Sequence, residues 1–134
     1  MGQKQILLLI LAKIVVIFAV IYGIHLYDSN AIESNRENII HDLQTIASFS
    51  HQYYGKSKTQ NGGGNNFTGF EIPSNLVNNL NGTYTMIYAR EERALFEGIG
   101  RQVAESGMGC NESGLKIKYQ ISVTPGNAVI NKIH

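Results

Sequence analysis

The sequence predicts an α+β protein in which one long N-terminal helix of about 50 residues packs on a small antiparallel β-meander of about four strands. An apolar run, Gln5 to Tyr27, leads into a second stretch that has apolar residues at three- and four-residue steps. No proline or glycine interrupts residues 24–54. After Asn81-Gly82 the apolar period changes to two, which is typical of half-buried strands.

Residues 1–28 form the apolar half of this predicted helix. A helix of about 20 residues is about 30 Å long, enough to span the hydrocarbon core of a bilayer. The run lacks a small-x-small cleavage site and exceeds the usual apolar core of a signal peptide, so we do not expect an ordinary cleaved signal. Lys4 precedes the run and charges of both signs follow it, which favours a cytoplasmic N-terminus and an extracytoplasmic second part.

Residues 29–134 are predicted to fold as the compact part. Its amphipathic half-helix, 29–54, is followed by a glycine-rich surface loop at 55–72, a short helix at 73–80 and the β-meander at 83–133. Asp42 belongs to the charged residues that are predicted to lie mostly off the apolar stripe, whereas Phe49, Tyr53 and Tyr54 are expected to pack against the sheet. The apolar stripe consists of Ile32, Ile39, Ile40, Leu43, Ile46, Ala47 and Ser50.

Composition and motifs argue against several function classes. The formal net charge is +1 and no basic block occurs, so nucleic acid is not expected as a partner. The single cysteine, Cys110, excludes an intrachain disulfide, and the four histidines lack the spacing of a metal site. Because no nucleophile–base arrangement and no phosphate-binding motif occur, we predict neither enzyme activity nor a cofactor.

Three stretches carry a resemblance to a known family. They are M-G-Q-K-Q-I-L-L-L at residues 1–9, S-N-R-E-N at 34–38 and G-G-G-N-N-F-T-G at 62–69. Together with the order of elements, they make the whole chain resemble type IV pilins and pseudopilins, most closely a bacterial subgroup with an M-G-Q-x-Q start. The resemblance implies a major pilin, the structural subunit of a type IV pilus-like extracellular filament. Its implied partners are the inner membrane before assembly, the pilus assembly machinery and many copies of itself.

The resemblance also implies roles for residues of the apolar half-helix. Many pilins have a glutamate that pairs with a neighbour's N-terminal amine; Gln5 stands at the matching position and offers a neutral hydrogen bond, roughly half as strong. Lys13 lies at the centre of the run, where a charge costs several kcal/mol unless it is paired or hydrated. An ion pair or a backbone-carbonyl contact with an adjacent subunit would satisfy this charge, and Asp28 of an axially shifted subunit is one candidate partner; the alternative is that Lys13 faces a wet or loosened region of the filament. The implied core positions are Gln5, Ile6, Leu9, Lys13, Ile17, Val20 and Ile24.

Two alternative functions stay open at this point. The chain also fits a pseudopilin of a type II secretion system, although pseudopilins usually keep the missing glutamate, and a membrane-anchored periplasmic binding module that never polymerises. Three matches to the N-glycosylation pattern, at Asn66, Asn81 and Asn111, are candidate modification sites. In a chain this rich in asparagine such matches also arise by chance.

Overall fold

The computed structural model describes residues 2–103 and 116–133 and, within them, all side chains except those of Asp28, Ser29 and Val103. It confirms the α+β class, with one long helix followed by a four-stranded antiparallel sheet. The chain divides into two compact units, Met1–Ala31 and Ile32–His134. The elements are α1 (Gly2–Gly55), a 3-10 turn (Lys58–Gln60), α2 (Ser74–Val77), β1 (Gly82–Ala89), β2 (Ala94–Val103), β3 (Lys116–Thr124) and β4 (Asn127–Lys132).

Within the second unit, α1 buries one face against the sheet. Two positions differ from the prediction. Asp42 is 8% exposed, because it lies three residues after Ile39 and four before Ile46 and so shares their face. Phe49 stays 40% exposed because it lies beyond the edge that the sheet covers. The buried positions of this helix face are Asn35, Ile39, Asp42, Leu43, Ile46, Ala47 and Ser50.

The sheet has the strand order β1-β2-β3-β4, the predicted meander. Alternate side chains of β3 lie on the buried face, which completes a single core with the helix. In β1 the predicted alternation holds only for Tyr84, because the register shifts between Met86 and Tyr88 and leaves Met86 exposed. The fully buried sheet residues of the core are Tyr84, Ala94, Phe96, Ile117, Ile121 and Val123.

Helix and sheet are in close contact at Gly100 of β2. A Cβ atom there would lie 2.5 Å from Asn35 Oδ1 and 2.6 Å from Ile39 Cδ1. Only a glycine fits without displacing these side chains. This contact explains why β2, the least regular strand in the sequence pattern, carries glycine where a strand normally carries a larger residue.

Most residues of the glycine-rich loop are exposed, as its composition predicted, but two of its side chains belong to the core. Phe67 and Phe70 are buried, and the ring of Phe70 packs edge-on against Phe96 at 5.6 Å. Its backbone closes the end of α1, because Gly63 N donates to Tyr53 O at 2.7 Å and Asn65 N to Tyr54 O at 2.8 Å. Two buried phenylalanines therefore attach this polar loop to the core.

The short helix is one turn, Ser74–Val77, and does not extend to residue 80. Pro73 precedes it and accepts hydrogen bonds from Leu76 N and Val77 N. Asn78 is extended and pairs with Thr83 in an isolated bridge. The residues after Val77 leave the helix because their side chains bond to α1 and β2 instead, as described below.

Candidate functional site: an exposed apolar segment and a buried carboxylate

The apolar part of α1 has no covering surface in the described chain. Every residue from Ile6 to Tyr27 is exposed, including all of its large aliphatic and aromatic side chains. The helix is long enough and apolar enough to cross a membrane. Because apolar residues occur on every face, burial of this segment requires a surrounding medium, either lipid or other chains.

The predicted assembly residues all lie on the surface of this segment. Gln5 and Lys13 are exposed, and so are the five aliphatic positions. The side chain of Asp28 lies outside the described residues, so its pairing with Lys13 stays a prediction. The five aliphatic positions are Ile6, Leu9, Ile17, Val20 and Ile24.

One face of the segment has a feature that the sequence analysis missed. Between Gln5 and Tyr27 the small residues are Ala12, Ala19 and Gly23. Their seven- and four-residue spacing places them on one helix face, in line with Gln5. A Cβ on Gly23 would meet nothing within 4 Å, so the chain's own packing does not require this glycine. Small residues on a membrane helix permit the close approach of another helix.

In the second unit, Asp42 is the centre of a buried polar network. Its Oδ2 atom accepts three hydrogen bonds: from Tyr84 OH at 2.7 Å, Asn81 Nδ2 at 2.8 Å and Asn79 Nδ2 at 2.9 Å. Burial raises the pKa of Asp42, but these three hydrogen bonds together outweigh burial and hold the pKa below its usual value. Burial, together with the adjacent carboxylate, raises the pKa of Tyr84. The carboxylate therefore stays ionised and the phenol protonated.

Asn35 makes a second connection between α1 and the sheet. Its Nδ2 donates to Asn81 O at 2.8 Å, while its Oδ1 accepts from Arg101 N and Gln102 N at 3.2 Å each. Asn35 and Asp42 are two helical turns apart on one face. They therefore fix both the rotation of the helix and its axial position against β1 and β2.

The hydrogen bonds to Asp42 connect α1 to β1 and to the segment before it. The described contacts of Asp42 are with asparagine and tyrosine donors and, at 3.9 Å, with the exposed His41 ring. No group of three or more His, Cys, Asp or Glu side chains in residues 2–103 and 116–133 is placed to hold a metal ion. His51 instead contacts Thr124 O through Nε2 at 2.8 Å.

The three glycosylation candidates stand in different surroundings. Asn66 is partly exposed, and its Oδ1 accepts a hydrogen bond from Thr68 N at 2.7 Å. The amide nitrogen of Asn81, the atom to which sugar would be attached, donates to Asp42. Asn111 lies outside the described residues, as does Cys110.

The turn between β1 and β2 lines a surface pocket together with Thr124 and Pro125. Arg90 N donates a hydrogen bond to Arg93 O at 2.8 Å across this turn. The guanidinium of Arg90 lies 5.1 Å from the ring centre of Tyr88. With Glu91 and Glu92 between two arginines, the turn carries balanced charge.

Comparisons with protein-family models, with curated proteins and with solved structures give no match to this chain.

Proposed function

We propose that the chain is the repeating structural subunit of a type IV pilus-like surface filament, in which residues 2 to about 28 of many copies pack into a common core. The observation that supports this most strongly is the contrast within α1. One half is built into the core of the second unit, whereas the half before it exposes apolar side chains on every face. Such a segment needs a partner that surrounds it, and a bundle of identical helices provides one.

The membrane is the first environment of this segment in the proposal. The helix can anchor the chain in a bilayer, and the flanking charges favour a position of the second unit outside the cytoplasm. Transfer from lipid into a helix bundle gains little from the hydrophobic effect, because lipid tails are as apolar as leucine. Close packing must therefore drive assembly, and the face of Ala12, Ala19 and Gly23 is suited to it.

The filament would be open because its contacts are between different surfaces. When one face of a helix packs on another face of the next copy, the assembly continues along a screw axis unless a rotation closes it. Gln5 lies on the small-residue face and would supply a neutral hydrogen bond near the N-terminus. Lys13 would pair with Asp28 of an axially shifted copy.

The location of the chain in cells tests the proposal. Filaments are sheared from the cell surface, imaged by electron microscopy, and their main protein band is identified by mass spectrometry. We expect this chain as the main band. If the chain is found in membrane fractions alone, the filament is excluded and the non-polymerising anchored module becomes the better account. A short filament that requires a secretion system would instead indicate the pseudopilin.

The small-residue face provides a matched pair of variants. Gly23→Leu adds a bulky side chain to this face, whereas Ile21→Leu changes a large residue on the opposite face, outside the implied core positions. Both variants keep the segment apolar, so both should insert into membranes equally. We expect Gly23→Leu to lower the filament yield about tenfold or more. A loss of about 1.4 kcal/mol of close packing per contact lowers the association constant of that contact tenfold. Equal yields from the two variants would contradict a role for close helix packing.

The charge of Lys13 is tested by Lys13→Leu and by the exchanged pair Lys13→Asp with Asp28→Lys. If the two residues pair between copies, Lys13→Asp alone and Asp28→Lys alone each lower the filament yield. The exchange of both residues then restores part of that yield. The matched control is Lys4→Leu, which removes a cation outside the apolar run. Unchanged filament yield for Lys13→Leu would remove the charge from the assembly mechanism.

A further inference from the structure

The sequence contains two Asn-Gly pairs, Asn61-Gly62 and Asn81-Gly82. Glycine has no side chain to shield its backbone nitrogen, so in such a pair this nitrogen can attack the carboxamide carbon of the asparagine. The glycine nitrogen gives its proton to solvent and bonds to Cγ. The bond from Cγ to Nδ2 then breaks, and Nδ2 takes up a proton and leaves as ammonia. Water opens the resulting five-membered imide to aspartate or isoaspartate, so an amide becomes a carboxylate.

Two packing requirements place the second of these pairs at the start of β1. Asparagine at position 81 supplies a hydrogen-bond donor, because its Nδ2 lies 2.8 Å from Asp42 Oδ2. Glycine at position 82 leaves room for β2, because a Cβ atom there would collide with the backbone oxygen of Ile99. Packing of the second unit therefore requires a pair of residues that is chemically labile.

Hydrogen bonds hold this pair on both sides of the reacting atoms. Asn81 O accepts from Asn35 Nδ2 at 2.8 Å. Gly82 N, the atom that would attack, donates to Asn79 Oδ1 at 3.1 Å and belongs to a buried residue. The attack needs a defined approach of this nitrogen to Cγ, and rotation of the carboxamide to permit it would break the bond to Asp42.

The other pair differs in what holds the asparagine side chain. Gly62 N donates to Ser57 O at 3.0 Å, so the attacking nitrogen is hydrogen-bonded in both pairs. Asn61 is exposed in the loop after α1, and within residues 2–103 and 116–133 its side chain forms no hydrogen bond. Its carboxamide can therefore rotate in water. The chain thus contains its own matched control for Asn81.

We propose that Asn81 is a site of spontaneous deamidation that the fold keeps closed. The co-reactant is water, and the chemistry needs no enzyme and no cofactor. Asn81 reacts only when the segment at residues 79–82 opens away from α1 and its bond to Asp42 breaks. Asn61, by contrast, reacts in the folded chain. The inference involves neither the membrane nor the filament and is independent of the proposed function.

The modified residue cannot rebuild the network around Asp42. An aspartate at position 81 has a carboxylate oxygen where Nδ2 now lies, 2.8 Å from Asp42 Oδ2, so a second negative charge replaces a donor. An isoaspartate also adds a carbon to the backbone just before Gly82, which pairs with Gly100. Deamidation at this position is therefore a permanent mark of a second unit that has opened, and it keeps that unit destabilised.

Mass spectrometry can measure both sites in one sample. The full-length chain in detergent is incubated in mildly alkaline water enriched in heavy oxygen, with and without urea at a concentration that unfolds the second unit. Each deamidation during the incubation incorporates a heavy oxygen atom. Chymotrypsin separates the two sites because Phe67 and Phe70 lie between them, and fragment spectra locate the modified asparagine. The result for each site is the ratio of its rate in urea to its rate in the folded chain.

We expect a ratio of at least about 100 for Asn81 and below about 10 for Asn61, since opening a buried segment costs far more free energy than motion of an exposed loop. Similar ratios at the two sites, whether large or small, would overturn the proposal, because the network around Asp42 would then not be what protects Asn81.

Variants of the network test the same point in the folded chain. Asp42→Ala removes the acceptor of Asn81 Nδ2 and should raise the rate at Asn81 about tenfold or more, with the rate at Asn61 unchanged. Tyr84→Phe removes another donor to Asp42, keeps the Asn81 bond and should give a smaller increase. Glu37→Ala, which removes an exposed carboxylate of α1, is the matched control. Rates at Asn81 that equal the wild-type rate in both network variants would overturn the proposal.

The effect of the modification is tested by two substitutions that reproduce its product. Asn81→Asp should lower the equilibrium constant of folding about tenfold or more, because two carboxylates would then face each other. Asn61→Asp changes an exposed residue and should leave that constant nearly unchanged. If both variants are as stable as wild type, deamidation leaves the network intact and the permanent mark is excluded.

Discussion

The two halves of α1 belong to one helix and meet different surroundings. Residues 32–55 repeat their apolar side chains at three- and four-residue steps and bury that face on the sheet of their own chain. Residues 5–27 are apolar on all faces and remain exposed. The difference shows that the number of apolar faces decides where a helix finds its partner. A single stripe is covered by one sheet, whereas an all-apolar surface requires lipid or several other helices.

Polar residues follow the same division. In the second half, Asn35 and Asp42 lie on the buried face with every described partner supplied by the same chain. In the first half, Gln5 and Lys13 are exposed on an apolar surface. If the first half is buried after assembly, its two polar residues need partners from other molecules. Substitutions that act on one half and not on the other test this division.

The largest contrast is expected from equivalent truncations in the two halves. Leu43 is fully buried and Leu9 is exposed. Leu43→Ala should lower the free energy of unfolding of the second unit by about 2–5 kcal/mol because it leaves a cavity in the core. Leu9→Ala should change it by less than about 0.5 kcal/mol. Urea unfolding of the two variants in the same detergent gives both values; similar losses would mean that the halves are not independent.

Removal of the buried carboxylate should have the next largest effect. Asp42→Ala leaves three donors, on Asn79, Asn81 and Tyr84, without their acceptor, and we expect a loss of about 3 kcal/mol. Glu37→Ala removes an exposed carboxylate from the same helix and should be nearly neutral. Thermal unfolding followed by circular dichroism compares them. An Asp42→Ala variant as stable as wild type would show that the network contributes specificity and not stability.

A smaller loss is expected from the close approach of helix and sheet. Gly100→Ala forces a methyl group to within 2.6 Å of Asn35 and Ile39 and should destabilise the second unit by about 1–3 kcal/mol. Gly126→Ala meets open space in the turn before β4 and serves as the control. The same unfolding experiment applies. If both substitutions are neutral, the helix can move away from β2 without loss.

The pH dependence of stability should be the smallest effect and should involve the second half only. Because the pKa of Asp42 is lower in the folded chain, its contribution is present above its unfolded pKa of about 4 and is lost as the pH falls through the folded value. The pKa of Tyr84 is raised, so its contribution is lost as the pH rises above about 10. Melting temperatures at pH 7, 4 and 3 for wild type and Asp42→Asn should converge at the lowest pH. If the difference in melting temperature between the two proteins stays constant with pH, another group causes the pH dependence.

Sequence patterns predicted the elements that repeat regularly. The long helix, the meander and the alternation of β3 follow from periods of 3.6 and 2, and the structure confirms them. The burial of Asp42 was missed because the hydrogen bonds that replace the hydration of its carboxylate come from Asn79, Asn81 and Tyr84, about 40 residues away in sequence. The packing of Phe67 was missed because glycine and asparagine around it indicate a loop and carry no information on what the loop covers.

Part of the candidate site could be predicted from the sequence and part could not. An exposed apolar helix is evident from composition, and the face of Ala12, Ala19 and Gly23 was available as a spacing signal. The network around Asp42 required the fold, because its donors at positions 79, 81 and 84 come from β1 and the segment before it. Sequence patterns predict which residues share a face of one helix or strand. Which residues of different elements lie side by side depends on the topology of the fold.

The central claim is that the apolar half of α1 packs against other copies of itself. Phe18, in the middle of this half, is 64% exposed and can be replaced by the photo-crosslinking analogue p-benzoylphenylalanine with little change in shape. Irradiation of cells that carry surface filaments should yield a ladder of covalent multimers of the 14.8 kDa chain, and the ladder should be absent when the chain is diluted into detergent before irradiation. Crosslinks to lipid alone, with the chain recovered as a monomer, would contradict the account.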